Sequence, residues 1–377
     1  MAKKLEQTRG SFKVKGLVKG MDRDNAFEEE ERVGGAHSGE TYRKLNLGLQ
    51  TAPDNQLRLG IFSYEPEQVF LWNNDKKKKD KSYKGERMDF DEYLEKKEIL
   101  RENGTAILQA RVGVEYDEKG KLQSEGMTSF EATELIYDNV DNDDGAYVEG
   151  QVSYSSYENQ QGETKTGVNY NIDRFFKAKE PFDLEDEDYE AQNYYEQQFV
   201  YVDSFADKTN HKLTVLGRVI DYRENTVDAE FVINYGEDES MKKLATNVKK
   251  KFKFGDLVTV FGEIFNKSVE EEVEDAEDTD MLSSLGGKSQ PKYAQGYTNT
   301  TYIREMTIDG VLDWQKKVYT EEDFEASELV EEDEDDLSSE LGGKSKKKMK
   351  NDFDEDLDED EDPFGADDDE DSDDLPF

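Results

Sequence analysis

The chain has 377 residues, 92 of them acidic and 49 basic, for a formal net charge of −43, and it has no cysteine. Without thiols, disulfides, thiolate catalysis and cysteine-ligated zinc are excluded. The charge argues against passive attraction of nucleic acid, so any such binding must come from a local patch. The opening MAKKLEQTRG lacks the apolar run of a signal peptide and no stretch approaches a membrane span, so a cytoplasmic protein with no membrane contact is expected.

Period-two alternation predicts a mainly β chain of two modules. The first module, residues 1–179, opens with the strand Ser11 to Lys19. Strands follow at Thr41–Thr51 and Gln56–Glu65, joined by the turn Ala52-Pro53-Asp54-Asn55. A polar loop with Lys76, Lys77, Lys78 and Lys79 comes next, then a helix near Asp89–Arg101 and strands at Thr105–Tyr116, Ala146–Tyr154 and Lys165–Phe175. The stretch from about 70 to 144 reads as an insertion, and 180–195 as an acidic linker.

The second module, 196–316, repeats the first in outline. Val14-Lys15-Gly16-Leu17-Val18 is echoed by Val215-Leu216-Gly217-Arg218-Val219, and Arg23-Asp24-Asn25 by Arg223-Glu224-Asn225. Val148 to Val152 is echoed around Val260 to Ile264, and both modules carry Ile-Asp near the end, at Ile172-Asp173 and Ile308-Asp309. A glycine recurring in a first strand suggests a bend at a barrel corner. Two tandem OB-fold-like barrels are therefore expected, the second interrupted by an acidic insertion at about 267–296.

Alternation also assigns faces. Leu45, Leu47 and Leu49, like Leu57, Leu59 and Ile61, point inward, which leaves Tyr42, Lys44, Arg58, Phe62 and Tyr64 outward. Lys13, Lys15 and Lys19 share the outward side of the first strand. Rings can stack on unpaired bases at roughly 1–3 kcal/mol each while cations follow the phosphates. Trp72 and Lys76 to Lys79 are candidate additions to this surface. In the second module Asp228 and Glu230 face outward and would repel phosphate, so the first module is expected to be the principal platform.

Residues 317–377 read as a disordered acidic tail, with 28 acidic against 5 basic residues from 321 onward. It ends Asp373-Asp374-Leu375-Pro376-Phe377, after an earlier Asp362-Pro363-Phe364-Gly365. An acidic run closed by Pro-Phe resembles the tails of the bacterial and phage single-stranded DNA-binding protein (SSB) family. The resemblance implies that this tip recruits replication, recombination and repair proteins. SSBs assemble as tetramers of one-barrel chains or dimers of two-barrel chains, so a homo-oligomer is compatible with it.

Catalytic patterns fail on register. Gly-Lys-Ser occurs at 287–289 and 343–345, but the first glycine of a phosphate loop would fall on Leu282 or Ser338. Asp141 to Gly145 lacks a calcium-loop register, since Val140 and Gln151 hold ligand positions, and reads as a turn. No enzyme activity, cofactor or metal is expected. The leading expectation is a protein that coats and protects single-stranded DNA. An acidic DNA-mimic or adaptor that binds basic proteins, and an RNA-binding OB-fold protein, are the alternatives.

Overall fold

Phe12, Val14 and Val18 turn inward from β1 (Gly10–Lys19), and the alternating leucines of β3 (Thr41–Ala52) and β4 (Asn55–Tyr64) do the same, each with 4% exposure or less. Between β1 and β3 runs a short strand, β2 (Phe27–Glu31), paired antiparallel with the start of β3. The computed structural model describes residues 3–35, 37–158, 164–271 and 299–324. The protein is mainly β, and among the described residues fourteen strands make one sheet and three a second.

The insertion after β4 builds its own layer. Strands β5 (Gln68–Asn73), β6 (Glu86–Asp89) and β7 (Thr105–Ile107) form the small sheet, accompanied by α1 (Asn74–Lys79) and α2 (Phe90–Glu102). Val69, Leu71, Phe90, Tyr93, Ile107 and Phe130 form its core. The lysine run read as a loop is thus helix α1, capped by Asn73, whose side chain accepts from Lys76 N. The four lysines sit at its C-terminal turn, where the helix dipole favours cations. The strand expected over Thr105–Tyr116 is two: β7 stays in the small sheet, while β8 (Ala110–Tyr116) joins the large one beside β9 (Leu122–Met127).

Helix α3 (Ser129–Asn139) starts on a reciprocal cap between Thr128 and Glu131 and buries Phe130, Ala132 and Ile136. It leads into β10 (Gly145–Glu158) and β11 (Thr164–Lys177). A ring then closes. β1 pairs with β3 over Leu17–Lys19, β3 with β4, β4 with β11 in parallel at Leu59 and Gly60, β11 with β10, and β10 with β1.

The later half follows the same path. β12 (Gln192–Asp207), β13 (Lys212–Ile220) and β14 (Thr226–Asn234) are antiparallel neighbours, then α4 (Glu239–Lys251) leads to β15 (Leu257–Glu271). β16 (Asn299–Met306) and β17 (Gly310–Gln315) pair with β15, which returns to β12. A parallel bridge between Val232 and Thr307 closes this second ring where Leu59 and Tyr170 close the first.

Two of the sequence echoes are in structural register and two are not. Gly150 and Gly262 occupy the same place in their rings. An added Cβ would lie 1.9 Å from Asn171 O in one case and 1.8 Å from Thr307 O in the other. Opposite them across the first strands sit buried Phe12 and Tyr195. Ile172-Asp173 and Ile308-Asp309 follow these close approaches in each ring, the second pair lying between β16 and β17 rather than within a strand. The Gly16 and Gly217 echo fails, because Gly16 lies in the first strand of its ring and Gly217 in the second strand of the other. The Arg23 and Arg223 echo shifts with it.

The rings join through their first strands. Gly10–Lys15 of β1 pairs antiparallel with Gln192–Gln197 of β12, so β12 begins inside the stretch read as a linker. Residues Met1–Ser327 form one compact unit. The expected insertion starts later than 267, since β15 runs to Glu271, and the expected tail starts later than 317, since Tyr319 and Phe324 are buried with Leu5, Val200 and Ile220. Residues 272–298, both Gly-Lys-Ser sites, and the tail from 325 to its Asp373–Phe377 tip lie outside the described residues.

Candidate nucleic-acid interface

Pairing between β3 and β4 sets the outward residues in a ladder: Tyr42 opposite Tyr64, Lys44 opposite Phe62, Asn46 opposite Gly60, Gly48 opposite Arg58 and Gln50 opposite Gln56. Five of the expected site residues therefore share one face: Tyr42, Lys44, Arg58, Phe62 and Tyr64. Lys19 joins them, since it pairs with Gly48 across the β1 edge. It is ion-paired to Asp143.

One half of the ladder is aromatic. Tyr42 and Phe62 have ring centroids 5.4 Å apart, and Phe62 meets Tyr64 edge-on at 5.2 Å. Phe62 is 49% exposed. His37 lies nearly flat on Tyr64, at 4.4 Å and 20°, so one face of that ring is already covered. Strand β2 brings carboxylates along this half. Glu28 lies 3.3 Å from the Lys44 amine, and Glu30 accepts from the Tyr42 hydroxyl at 3.1 Å. That hydrogen bond to a carboxylate raises the Tyr42 pKa above the ordinary phenol value. The cation expected at Lys44 is therefore compensated by its own neighbour.

The other half is rich in arginine and amide groups. A cleft of about 690 Å³ opens where the end of the β3–β4 hairpin meets β15 and β16. Arg23, Arg58 and Arg304 line it, with Asn46, Gln56 and Asn266. Gly48 and Gly60 bring no side chains of their own there, and the Gln56 amide lies over Gly48. Among the described residues none of the three arginines is ion-paired, and the one acid lining the cleft, Asp54, is held by Lys267 at 2.9 Å. Asn55 pins the seam: its side chain donates to Thr51 Oγ1 at 2.8 Å and to Ile264 O at 3.2 Å, and accepts from Asn266 N at 2.7 Å. Asn266 donates onward to Gln56 O at 2.6 Å.

The remaining expected residues lie elsewhere. Lys13 and Lys15 point outward from the part of β1 that pairs with β10 and β12 instead of β3. Lys13 is 3.5 Å from Glu149, and the Lys15 amine sits 4.9 Å above the Tyr189 ring. Trp72, Lys76, Lys77, Lys78 and Lys79 belong to the small sheet and its helix. There Trp72 donates to Asn74, Lys76 pairs with Glu86, and Lys77 lies over Trp72.

In the second ring the matching strands are self-neutralised. Arg218 grips Asp228 through two bonds of 2.7 and 2.9 Å, and Glu230 stands exposed beside them. Alternation along one strand pair revealed Arg58 but not Arg23, Gln56, Asn266 or Arg304, which come from a turn, a strand start and the other ring. The only signal for Asn266 and Arg304 is positional, in that they pair across β15 and β16.

No curated protein matches the chain. Among solved structures, a deletion mutant of the single-stranded DNA binding protein from Thermus aquaticus aligns with a TM-score of 0.35 and 11% identity, over 82% of this chain and 95% of that one. The model of the YorF family matches residues 77–343, from helix α1 through the second ring. With that match spanning more than half of its length, the chain belongs to the YorF family.

Proposed function

We propose that the protein is a non-catalytic single-stranded DNA-binding protein that grips unpaired nucleotides on its first ring and recruits DNA-processing proteins through the acidic Asp373–Phe377 tip. We read both rings as OB barrels. Each has five strand positions in the order 1-2-3-5-4-1, a parallel contact between the third and fifth, and a helix between the third and fourth. In that architecture oligonucleotides lie on strands two and three and on the loop between strands one and two. In the first ring these are β3, β4 and the connection that carries Arg23 and His37.

The observation that carries the reading is this one face. An exposed phenylalanine between two tyrosines runs into a cleft with three arginines that make no ion pair among the described residues, on a chain with 92 acidic residues. An ordinary solvent face needs neither exposed rings nor unpaired guanidinium groups, whereas bare nucleotides offer base faces to the first and phosphates to the second. Duplex DNA hides its base faces, so the surface should discriminate by strandedness.

Fluorescence anisotropy with labelled oligo-dT, duplex DNA and RNA of equal length tests this. Tight binding of oligo-dT and weak binding of duplex is the expected result. Binding of RNA alone would favour the RNA-binding alternative. Binding of none of the three would overturn the proposal in favour of an acidic adaptor.

A further inference from the structure

We propose that the cleft at the seam between the rings is a phosphate seat that ties one single strand to both rings, with Arg23 and Arg58 supplied by the first ring and Arg304 by the second. The inference rests on the single-stranded DNA reading and extends it, because every platform residue recognisable from alternation lies in the first ring.

The seam exists because β15 is longer than its own ring requires. Its extension reaches the β3–β4 hairpin, where Lys267 pairs with Asn55, Asn266 donates to the Asn55 side chain and to Gln56 O, and Asn55 donates to Ile264 O. Arg304 sits opposite Asn266 on β16 and so is carried to the mouth of a cleft that Arg58 lines from the first ring. Guanidinium groups cannot discharge in a protein. Three of them in one cleft repel each other, and the usual remedy of a nearby carboxylate is scarce: Asp54 is engaged by Lys267, and Asp22 stands beside Arg23 without an ion pair, which leaves Arg58 and Arg304 with no carboxylate partner among the described residues.

A polyanion with regularly spaced charges supplies that remedy, and arginine forks fit phosphate oxygens with two parallel bonds. The amides of Asn46, Gln56 and Asn266 add donors and acceptors suited to sugar and base edges. Asn46 shares the outward ladder with the Tyr42–Phe62–Tyr64 cluster, one row away from Lys44 and Phe62. Bare Gly60 opposite Asn46 leaves the way between the two halves open. A strand stacked on Phe62 can therefore continue directly into the cleft.

The test is oligo-dT binding by the full chain and by Arg304→Ala, Arg304→Lys, Phe62→Ala and, as a charge-matched control, Lys96→Ala on helix α2. Arg304→Ala is expected to weaken binding about 10-fold and to reduce the slope of log K against log salt by about 0.7 for one lost phosphate contact. Arg304→Lys should keep most of the slope. Arg304 is exposed, so an unchanged melting temperature would show that the loss is local. If Arg304→Ala matches Lys96→Ala in affinity and slope while Phe62→Ala binds weakly, the strand stays on the first ring and the inference falls while the functional reading stands. If the unaltered chain binds no oligonucleotide, but Arg304→Ala loses affinity for a peptide spanning Asp352–Phe377, the cleft serves an acidic peptide and both fall.

Discussion

Phe62 and Asn55 stand only a few residues apart in β4, yet one belongs to the surface and the other to the frame. Phe62 is half exposed, with the Tyr42 and Tyr64 rings beside it, so Phe62→Ala should change folding stability by no more than about 0.5 kcal/mol. The same change should weaken oligo-dT binding by roughly 1–3 kcal/mol if the ring stacks on a base. Calorimetric melting together with anisotropy separates the two effects. Asn55 behaves in the opposite way. It is 1% exposed and its side chain satisfies Ile264 O, Asn266 N and Thr51. Asn55→Ala leaves those buried groups unpaired and should cost about 2–3 kcal/mol in a urea titration. The outward position of Phe62 is legible from a single strand, because side chains alternate with a period of two. The role of Asn55 is not, since its partners Ile264 and Asn266 lie more than two hundred residues away and its local context, Thr51 included, reads only as a turn.

At the level of elements, charge patterns misled where backbone geometry decided. Phe27-Glu28-Glu29-Glu30-Glu31 shows no strand signal, yet it pairs with β3 at the sheet edge, where solvent accepts carboxylates on both faces. Lys76–Lys79 reads in sequence as a polar loop. A helix of one or two turns buries nothing and needs only a cap and a favourable terminus, which Asn73 and the dipole supply. The β2 carboxylates bear directly on the proposed binding face, since they sit beside the Lys44 and Tyr42 polar atoms. Replacing Glu28 and Glu30 with Gln should tighten oligo-dT binding several-fold at low ionic strength. The gain should fade above about 0.15 M salt, where exposed charges are screened. A salt series of anisotropy titrations would show it, and an equal gain at every salt concentration would rule out this electrostatic origin.

Across the whole molecule, the repeat is better expressed in structure than in sequence. The motif around Gly150 and Gly262 survives because a side chain there would collide with a backbone carbonyl. The Gly16 and Gly217 resemblance has no such constraint in common, and the rings place those residues on different strands. Just beyond each close approach stands a carboxyl that its surroundings partly desolvate, Asp173 half-buried and Asp309 more open to solvent. Burial raises the pKa of Asp173 and Asp309 above the ordinary value, and Glu263, desolvated and repelled by Asp309, shifts the same way.

The folded chain therefore keeps protons that the unfolded chain would release. Stability from these groups is highest below their ordinary pKa and is lost as pH rises through the raised folded values. Asp309→Asn removes the penalty. It should raise the melting temperature at pH 7 relative to the unaltered protein and leave it nearly unchanged in acid. An equal shift at both pH values would assign the effect to packing instead.

The antiparallel union of β1 with β12 has a kinetic and thermodynamic corollary. Two rings held by separate chains would part as the solution is diluted, because their encounter is bimolecular. Here the partner strand is tethered, so the encounter is first order and its effective local concentration is set by the connecting segment. Melting curves taken at nanomolar and micromolar protein should superimpose, and the seam that carries Arg304 should persist however scarce the protein is.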